Sequence, residues 1–231
     1  MGVGKLTPIN ICIMQPLYTS PAIEYLESII KPEWKVFEYG GGGSTGYYGA
    51  KCSQSVVVEH NKHWVEQIKR MSPSSVVHNI GHESPVLDDA AGIDSSFYSK
   101  HFDLPMRDDH PREYNQYHGI TNDEFRGYAS QLAAYPRGYF DLIAVDGMAR
   151  SLCLWYAAAL VKDGGIIVLD NSDRWLFNSM HCYLVNNGFN RKDFWQPGHP
   201  CWCTSFFSIS FDSTDGPCGR PVNSGDIYHF G

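Results

Sequence analysis

The sequence predicts an α/β fold, a mostly parallel sheet covered by helices on both faces. Three observations predict it. Short strand-like runs alternate with helical patterns along most of the chain. Those runs are continuously apolar, as strands buried on both faces must be. The last two runs, FNRKDFW and CTSFFSISF, follow one another with no helix between them, which predicts an antiparallel edge.

Each element has its own signal. Ser20-Pro21 reads as an N-cap and first helical position, opening AIEYLESII, and Lys31-Pro32 closes that helix. WKVFEY (34–39) reads as the first strand. It runs into GGGGSTGYYG, a stretch with so many glycines that it reads as a bare loop offering little to a core. SVVVE (55–59) is the second strand. NKHWVEQIKRM (61–71) is a helix with Trp64, Ile68 and Met71 at helical spacing, and SSVVHNI (74–80) is the third strand.

Residues 83–121, rich in Asp, His, Pro and Tyr, have no sustained period and read as a lid or insertion over a functional site. TNDEFRGYASQLAAY (121–135) is helical, with Asn122 or Asp123 near its start. FDLIAVD (140–146) is the fourth strand. ARSLCLWYAAALV (149–161) is a helix closed by Asp163-Gly164-Gly165, and its W-x-x-A-A-A-L stripe reads as core. GIIVLD (165–170) is the fifth strand, and 173–187 is a helix ending at Asn187-Gly188. The two closing strands follow, then a Gly/Pro/Asp/Ser-rich tail over about 212–231. No linker or repeat divides the chain, so 1–231 reads as one domain.

Bulk properties narrow the function. The 231 residues are 43% hydrophobic, enough for a sizeable core. A net charge of −7 with no Lys/Arg run argues against a nucleic-acid or anionic-membrane partner. No apolar stretch is long enough to span a bilayer. The N-terminus, MGVGKLTPINICIMQPL, lacks the apolar region and cleavage site of a signal peptide, so a cytoplasmic location is expected. Seven cysteines, an odd count, argue against a disulfide framework. His181, Cys182, His199, Cys201 and Cys203 lack zinc-ligand spacing and read as ordinary residues, as do His101, His110 and His118 of the 83–121 segment. Oligomeric state is open, a homo-oligomer included.

In a parallel sheet, ligands bind beyond the carboxyl ends of the strands, where strand order reverses. The glycine loop sits at such an end. Glu59, about twenty residues on, is placed to accept hydrogen bonds from the hydroxyls of an adenosine ribose. A dinucleotide site would open a helix aimed at a pyrophosphate. Here the register E-x-G-x-G-x-S (Glu38, Gly40, Gly42, Ser44) is equally present. A carboxylate just before the first glycine repels a pyrophosphate and suits a cationic cofactor. At other strand ends stand Asp146 and the Asp170-Asn171 pair. Asp146 is the leading candidate for a base or for orienting an acceptor, and Asp170-Asn171-Ser172 also reads as a helix cap. Arg150 and Arg174 follow within a turn, to clamp an anionic group or to pair with the rim acids.

The E-x-G-x-G-x-S loop, Glu59, FDLIAVDG and GGIIVLDNSDR together resemble the class I S-adenosylmethionine-dependent methyltransferases, and within them a small stand-alone group with D-L-I-x-V-D-G-x-A-R and D-N-S-[DE]-R motifs. The likeness covers about residues 15–210. It implies a Rossmann-like, doubly wound, seven-stranded sheet of order 3-2-1-4-5-7-6 with the last strand antiparallel. It implies S-adenosylmethionine as cofactor, held by Glu38, Tyr39, Gly40, Gly42, Ser44, Thr45, Glu59, His60, Gly81, Asp146 and Gly147. It implies a catalytic group of Asp146, Asp170, Asn171, Arg150 and His82 acting on a small-molecule acceptor, with O-methylation favoured by the rim carboxylates. Asp146, Asp170 and Asn171 also resemble the oxygen ligands of magnesium-dependent catechol-type O-methyltransferases, which makes a divalent metal such as Mg an option. That family's lysine base is absent, since Gly147-Met148-Ala149-Arg150 follows the aspartate. The rival readings are an NAD(P)-dependent oxidoreductase on the same loop and a non-catalytic binding protein of this fold.

Overall fold

The computed structural model describes residues 14–81, 84–87, 125–174, 177–199 and 201–212. His82, most of the 83–121 segment and the tail beyond residue 212 lie outside the described residues, as do 121–124 at the start of the helix expected there.

The described elements are α1 (Ser20–Ile29), β1 (Lys35–Tyr39), α2 (Gly43–Lys51), β2 (Gln54–Glu59), α3 (Lys62–Met71) and β3 (Val76–Asn79), followed by α4 (Arg126–Ala129), β4 (Leu142–Val145), α5 (Arg150–Leu160), β5 (Ile166–Leu169), α6 (Asn178–Asn186), β6 (Asn190–Trp195) and β7 (Cys203–Ser208). They build one seven-stranded sheet of order β3-β2-β1-β4-β5-β7-β6. β1 to β5 are parallel, and β7 runs antiparallel to both β5 and β6. The order expected from the resemblance is thus the order found. It reverses between β1 and β4, which places the switch-point crevice at the carboxyl ends of those two strands.

Strand alternation divides the core. Phe37 and Tyr39 of β1 join one cluster with α4, α5 and α6, whereas Val36 joins a second with Ala22 and Leu26 of α1 and Tyr47 and Tyr48 of α2. Trp155, Tyr156, Ala157 and Leu160 are buried in the first cluster, so that stripe is core as expected.

Four local expectations are corrected. The glycine-rich stretch is a helix, α2, rather than a bare loop. Its Tyr47 and Tyr48 are 1% and 0% exposed. Burying two such side chains contributes about 1.5–3 kcal/mol each, enough to offset about 1 kcal/mol per helical glycine. Thr19 rather than Ser20 precedes α1. In α3 the buried residues are Val65 and Ile68, with Trp64 and Met71 half-buried. Residues 173–174 form a turn ahead of α6 rather than its first turn, because Asp173 accepts the Cys203 N–H (3.0 Å) and Ser172 donates its N–H to the Cys203 carbonyl (2.9 Å). Those ties to β7 prevail over local helix propensity.

Candidate functional site

The crevice opens where β1 and β4 part. Gly40 leaves β1 at φ +85°, and a Cβ there would stand 2.5 Å from the Gly147 Cα just beyond β4. The two glycines let the turns touch, and neither position accepts a side chain. The Gly40 N–H reaches across to the Val58 carbonyl of β2 (2.9 Å). The chain then enters α2, where the Thr45 hydroxyl accepts the Gly42 N–H (3.0 Å) and donates to Glu38 Oε2.

Glu38 is fully buried, and its Oε1 has no hydrogen-bond partner among the described residues. Burial pushes its carboxyl up to about 8. The Ser44 and Thr45 hydroxyls hold it down, and the nearby acids Asp146 and Glu59 push it further up. An unsatisfied carboxyl oxygen in a core costs about 1–3 kcal/mol. Tyr39 points its side chain to the opposite face, where its hydroxyl donates to the Ala129 carbonyl (2.6 Å), so only its backbone borders the site.

Glu59 closes β2 with its carboxylate in a nest of donors. It accepts the Gly41 N–H (3.1 Å) and the Asn61 N–H (2.7 Å), and it pairs with His60 Nδ1 at 3.0 Å. Burial alone would raise this acid. The bonds from His60, Asn61 and Gly41 outweigh it and hold the group below its ordinary value. Asn61 in turn caps α3 by accepting the His63 and Trp64 N–H groups. Gly81 follows β3 on the same rim, with open space where a Cβ would be. The His60 ring meets Phe125 and Tyr128 edge-on. Tyr128 donates to the Val58 carbonyl (3.2 Å) and stands against Gly147.

The β4–β5 side is different. Arg150 opens α5 and directs its guanidinium back over the strand ends. Its Nε donates to the Gly147 carbonyl (3.0 Å). Nη1 donates to the Asp170 carbonyl (2.8 Å) and Asn171 Oδ1 (3.2 Å). Nη2 donates to the Asp146 carbonyl (2.9 Å) and pairs with Asp146 Oδ1 (2.8 Å). All five guanidinium N–H donors thus have acceptors. Of the two roles open to Arg150, pairing with the rim acids is the one it performs here. Asp170 Oδ1 accepts from the Thr204 hydroxyl (2.6 Å) and the Trp202 indole (3.3 Å). Burial raises both Asp146 and Asp170. Arg150 lowers both, and Thr204 also lowers Asp170. Ala149 (φ 46°) and Asn171 (φ 50°) are the non-glycine residues at positive φ among those described, and both sit on this rim. Strain of this kind, about 1–3 kcal/mol per residue, clusters at functional sites. Among the described residues Asn171 and Ser172 cap no helix. Asn171 bonds Arg150, and Ser172 bonds β7 through the Cys203 carbonyl and the Ser205 hydroxyl.

Several site residues carry no motif. The segment 14–19 straps the two halves together. The Gln15 carbonyl packs where a Cβ of Gly43 would be (2.6 Å), and Met14 covers Gly46. Tyr18 bonds Tyr48 hydroxyl to hydroxyl (3.2 Å), and the Thr19 N–H donates to Thr204 Oγ1 (3.1 Å). Tyr18, Tyr48, Tyr128, Trp202 and Thr204 reach the site through tertiary folding.

The oxygens that would hold a divalent metal are partly engaged already. Arg150 already binds Asp146 Oδ1 and Asn171 Oδ1, and Asp170 Oδ1 is taken by two hydroxyl and indole donors. Among the described residues no group of three or more His, Cys, Asp or Glu is placed to hold a metal ion.

No protein-family model matches this chain, and no curated protein does. Solved structures share its outline at low identity. A TehB-like SAM-dependent methyltransferase from Corynebacterium glutamicum is 11% identical, with 80% of this chain and 85% of that one covered and a TM-score of 0.47. A precorrin-6y C5,15-methyltransferase from Geobacter metallireducens is 9% identical over 80% and 85% of the two chains, with a TM-score of 0.48. An rRNA methylase from Streptococcus thermophilus is 9% identical over 80% and 92%, with a TM-score of 0.47. The fold assignment stands on the strand order itself, and the functional reading stands on the site.

Proposed function

We propose that this chain is an S-adenosylmethionine-dependent methyltransferase acting on a small-molecule acceptor through oxygen. The carrying observation is Glu38, a fully buried carboxyl with an unpartnered oxygen directly before the glycine turn. The ammonium of the cofactor's amino acid end gains an ion pair with Glu38 once the carboxyl ionises, a gain that a diphosphate on that turn does not offer. This favours the methyl donor over a nicotinamide dinucleotide.

Glu38, Gly40, Gly42, Ser44 and Thr45 would hold the amino acid end. Glu59 would grip the ribose, with His60 and Gly81 beside the base and Gly147 and Asp146 closing the β4 side. When bound, the cofactor supplies a methyl group on a positively charged sulfur.

Arg150 binds Asp146 through Oδ1 and leaves Oδ2 outside that ion pair, on a side chain 26% exposed. Oδ2 is the atom assigned to receive the acceptor hydroxyl's proton, and burial makes Asp146 a stronger base than an exposed aspartate. Asp170 and Asn171, fixed by Thr204 and Arg150, flank it. The acidic chain, at −7, supports a small acceptor over a nucleic acid. Among the described residues no helix is long and apolar enough to cross a membrane.

Calorimetric titration with S-adenosylhomocysteine tests the reading, with fluorescence titration of NADH beside it. Binding of the first and not the second is expected, and the reverse overturns the proposal. Once an acceptor is found, Asp146→Asn is expected to lose turnover by about 100-fold or more, a larger loss than that of cofactor affinity.

A further inference from the structure

Glu38 has a consequence for how the ligand binds. Its Oε2 is satisfied by Thr45, whose hydroxyl also accepts the Gly42 N–H, so that hydroxyl's proton points at Glu38. Among the described residues Oε1 receives no donor and no ion pair includes Glu38. The groups that face Glu38 come from every side. α2 contributes the Ser44 and Thr45 hydroxyls and the Tyr48 phenol. The strap before α1 contributes Tyr18, the end of β4 contributes Asp146, and the end of β2 contributes Glu59. Tyr18 and Tyr48 are bonded to each other and kept neutral by burial. Asp146 and Glu59 are acids. No member of this shell is a cation, so nothing within it balances an ionised Glu38.

We propose that Glu38 is a neutral carboxylic acid carrying its proton on Oε1 in the ligand-free protein, and that binding of the ammonium-bearing cofactor releases that proton to solvent. This rests on the methyltransferase reading and adds a proton to its binding equilibrium. The balance is simple. A carboxylic acid meets a ligand already bearing an ammonium, the O–H bond breaks, the ammonium–carboxylate pair forms in its place, and one proton leaves to the buffer. The acid's value of about 8 sets the window. Below it the release is nearly complete, and above it the release fades because Glu38 is already ionised.

The test titrates S-adenosylhomocysteine calorimetrically at about pH 7 in two buffers of different ionisation enthalpy, phosphate and Tris. The expected result is about one proton released per ligand, with affinity rising about tenfold per pH unit between about pH 6.5 and 7.5. Glu38→Gln is expected to bind with no buffer-dependent heat. Binding by the native protein with equal heats in both buffers overturns the inference and leaves the methyltransferase reading standing. So does a full proton release that persists in Glu38→Gln. Failure of the native protein to bind S-adenosylhomocysteine overturns the methyltransferase reading itself. The pH slope of the unmutated protein decides the question even where a variant is unstable.

Discussion

The two halves of the crevice handle buried charge in opposite ways. At the β1–β2 ends, Glu38 keeps an oxygen with no partner among the described residues, and its neighbours are acids and phenols. At the β4–β5 ends, Arg150 spends all five donors on Asp146, Gly147, Asp170 and Asn171, and Thr204 and Trp202 satisfy Asp170. The first half leaves a buried carboxyl oxygen unsatisfied among the described residues. The second is internally paired and works as a rigid frame that holds carboxylates at fixed positions. A site of this design gains affinity from one half and geometry from the other.

Breaking the frame has the largest expected effect. Arg150→Ala strips the cation from two buried carboxyls, and loss of one partner of a buried pair costs about 3–5 kcal/mol. Urea denaturation is expected to show that loss. A loss under about 1 kcal/mol would mean that the acids rearrange into solvent and that the frame is not rigid.

The next largest effect comes from the first half and depends on pH. Glu38 has a folded-state value of about 8, above that of an exposed carboxyl. The stability it contributes is therefore fully present below about pH 4 and is lost as pH rises towards 8. Glu38→Gln keeps the shape and removes the titration. It is expected to stabilise the ligand-free protein at about pH 8.5, by on the order of 3 kcal/mol, and to change little at about pH 4. Parallel melts at the two pH values check this, and equal shifts at both would mean that folding leaves the Glu38 carboxyl at its ordinary value.

Glu59 sharpens the contrast on the ligand side. Its carboxylate orders the Gly41 and Asn61 amides as well as facing the crevice. Glu59→Ala is expected to weaken S-adenosylhomocysteine binding by about 100-fold or more in calorimetry. Thr204→Val is the mildest test. It removes the Thr204–Asp170 bond and leaves the Thr19 N–H without its acceptor, at a cost of about 1–2 kcal/mol. Thr204→Ser is expected to recover most of that, and cofactor affinity is expected to change little in either variant.

The same division runs through what the sequence made legible. Strands β1, β2, β4 and β5 could be read from apolar runs, because a strand buried on both faces shows its character in its own residues. Glu38, Glu59, Asp146 and Asp170 could be placed at strand ends for the same reason. The helix α2 could not be read. Its glycines, serine and threonine are poor helix formers, and what holds it is Tyr47 and Tyr48 buried against the sheet. α6 starts later than its local sequence predicts because Ser172 and Asp173 bond to Cys203, about thirty residues away. Tyr18, Tyr48 and Thr204 escaped notice as site residues because a buried hydroxyl gains its role from the partner opposite, which no local pattern records. Arg150 had two readings from sequence, and only the positions of its acceptors separate them.

The central claim is that the glycine-turn half exists to meet a cation. The most direct measurement compares the affinity of S-adenosylhomocysteine with that of 5′-methylthioadenosine, which shares the nucleoside and lacks the amino acid tail, in the same calorimetric cell at about pH 7.5. The account predicts a preference for the tailed ligand of about 100-fold or more, falling to within about tenfold in Glu38→Ala. Equal affinities in the unmutated protein would contradict it.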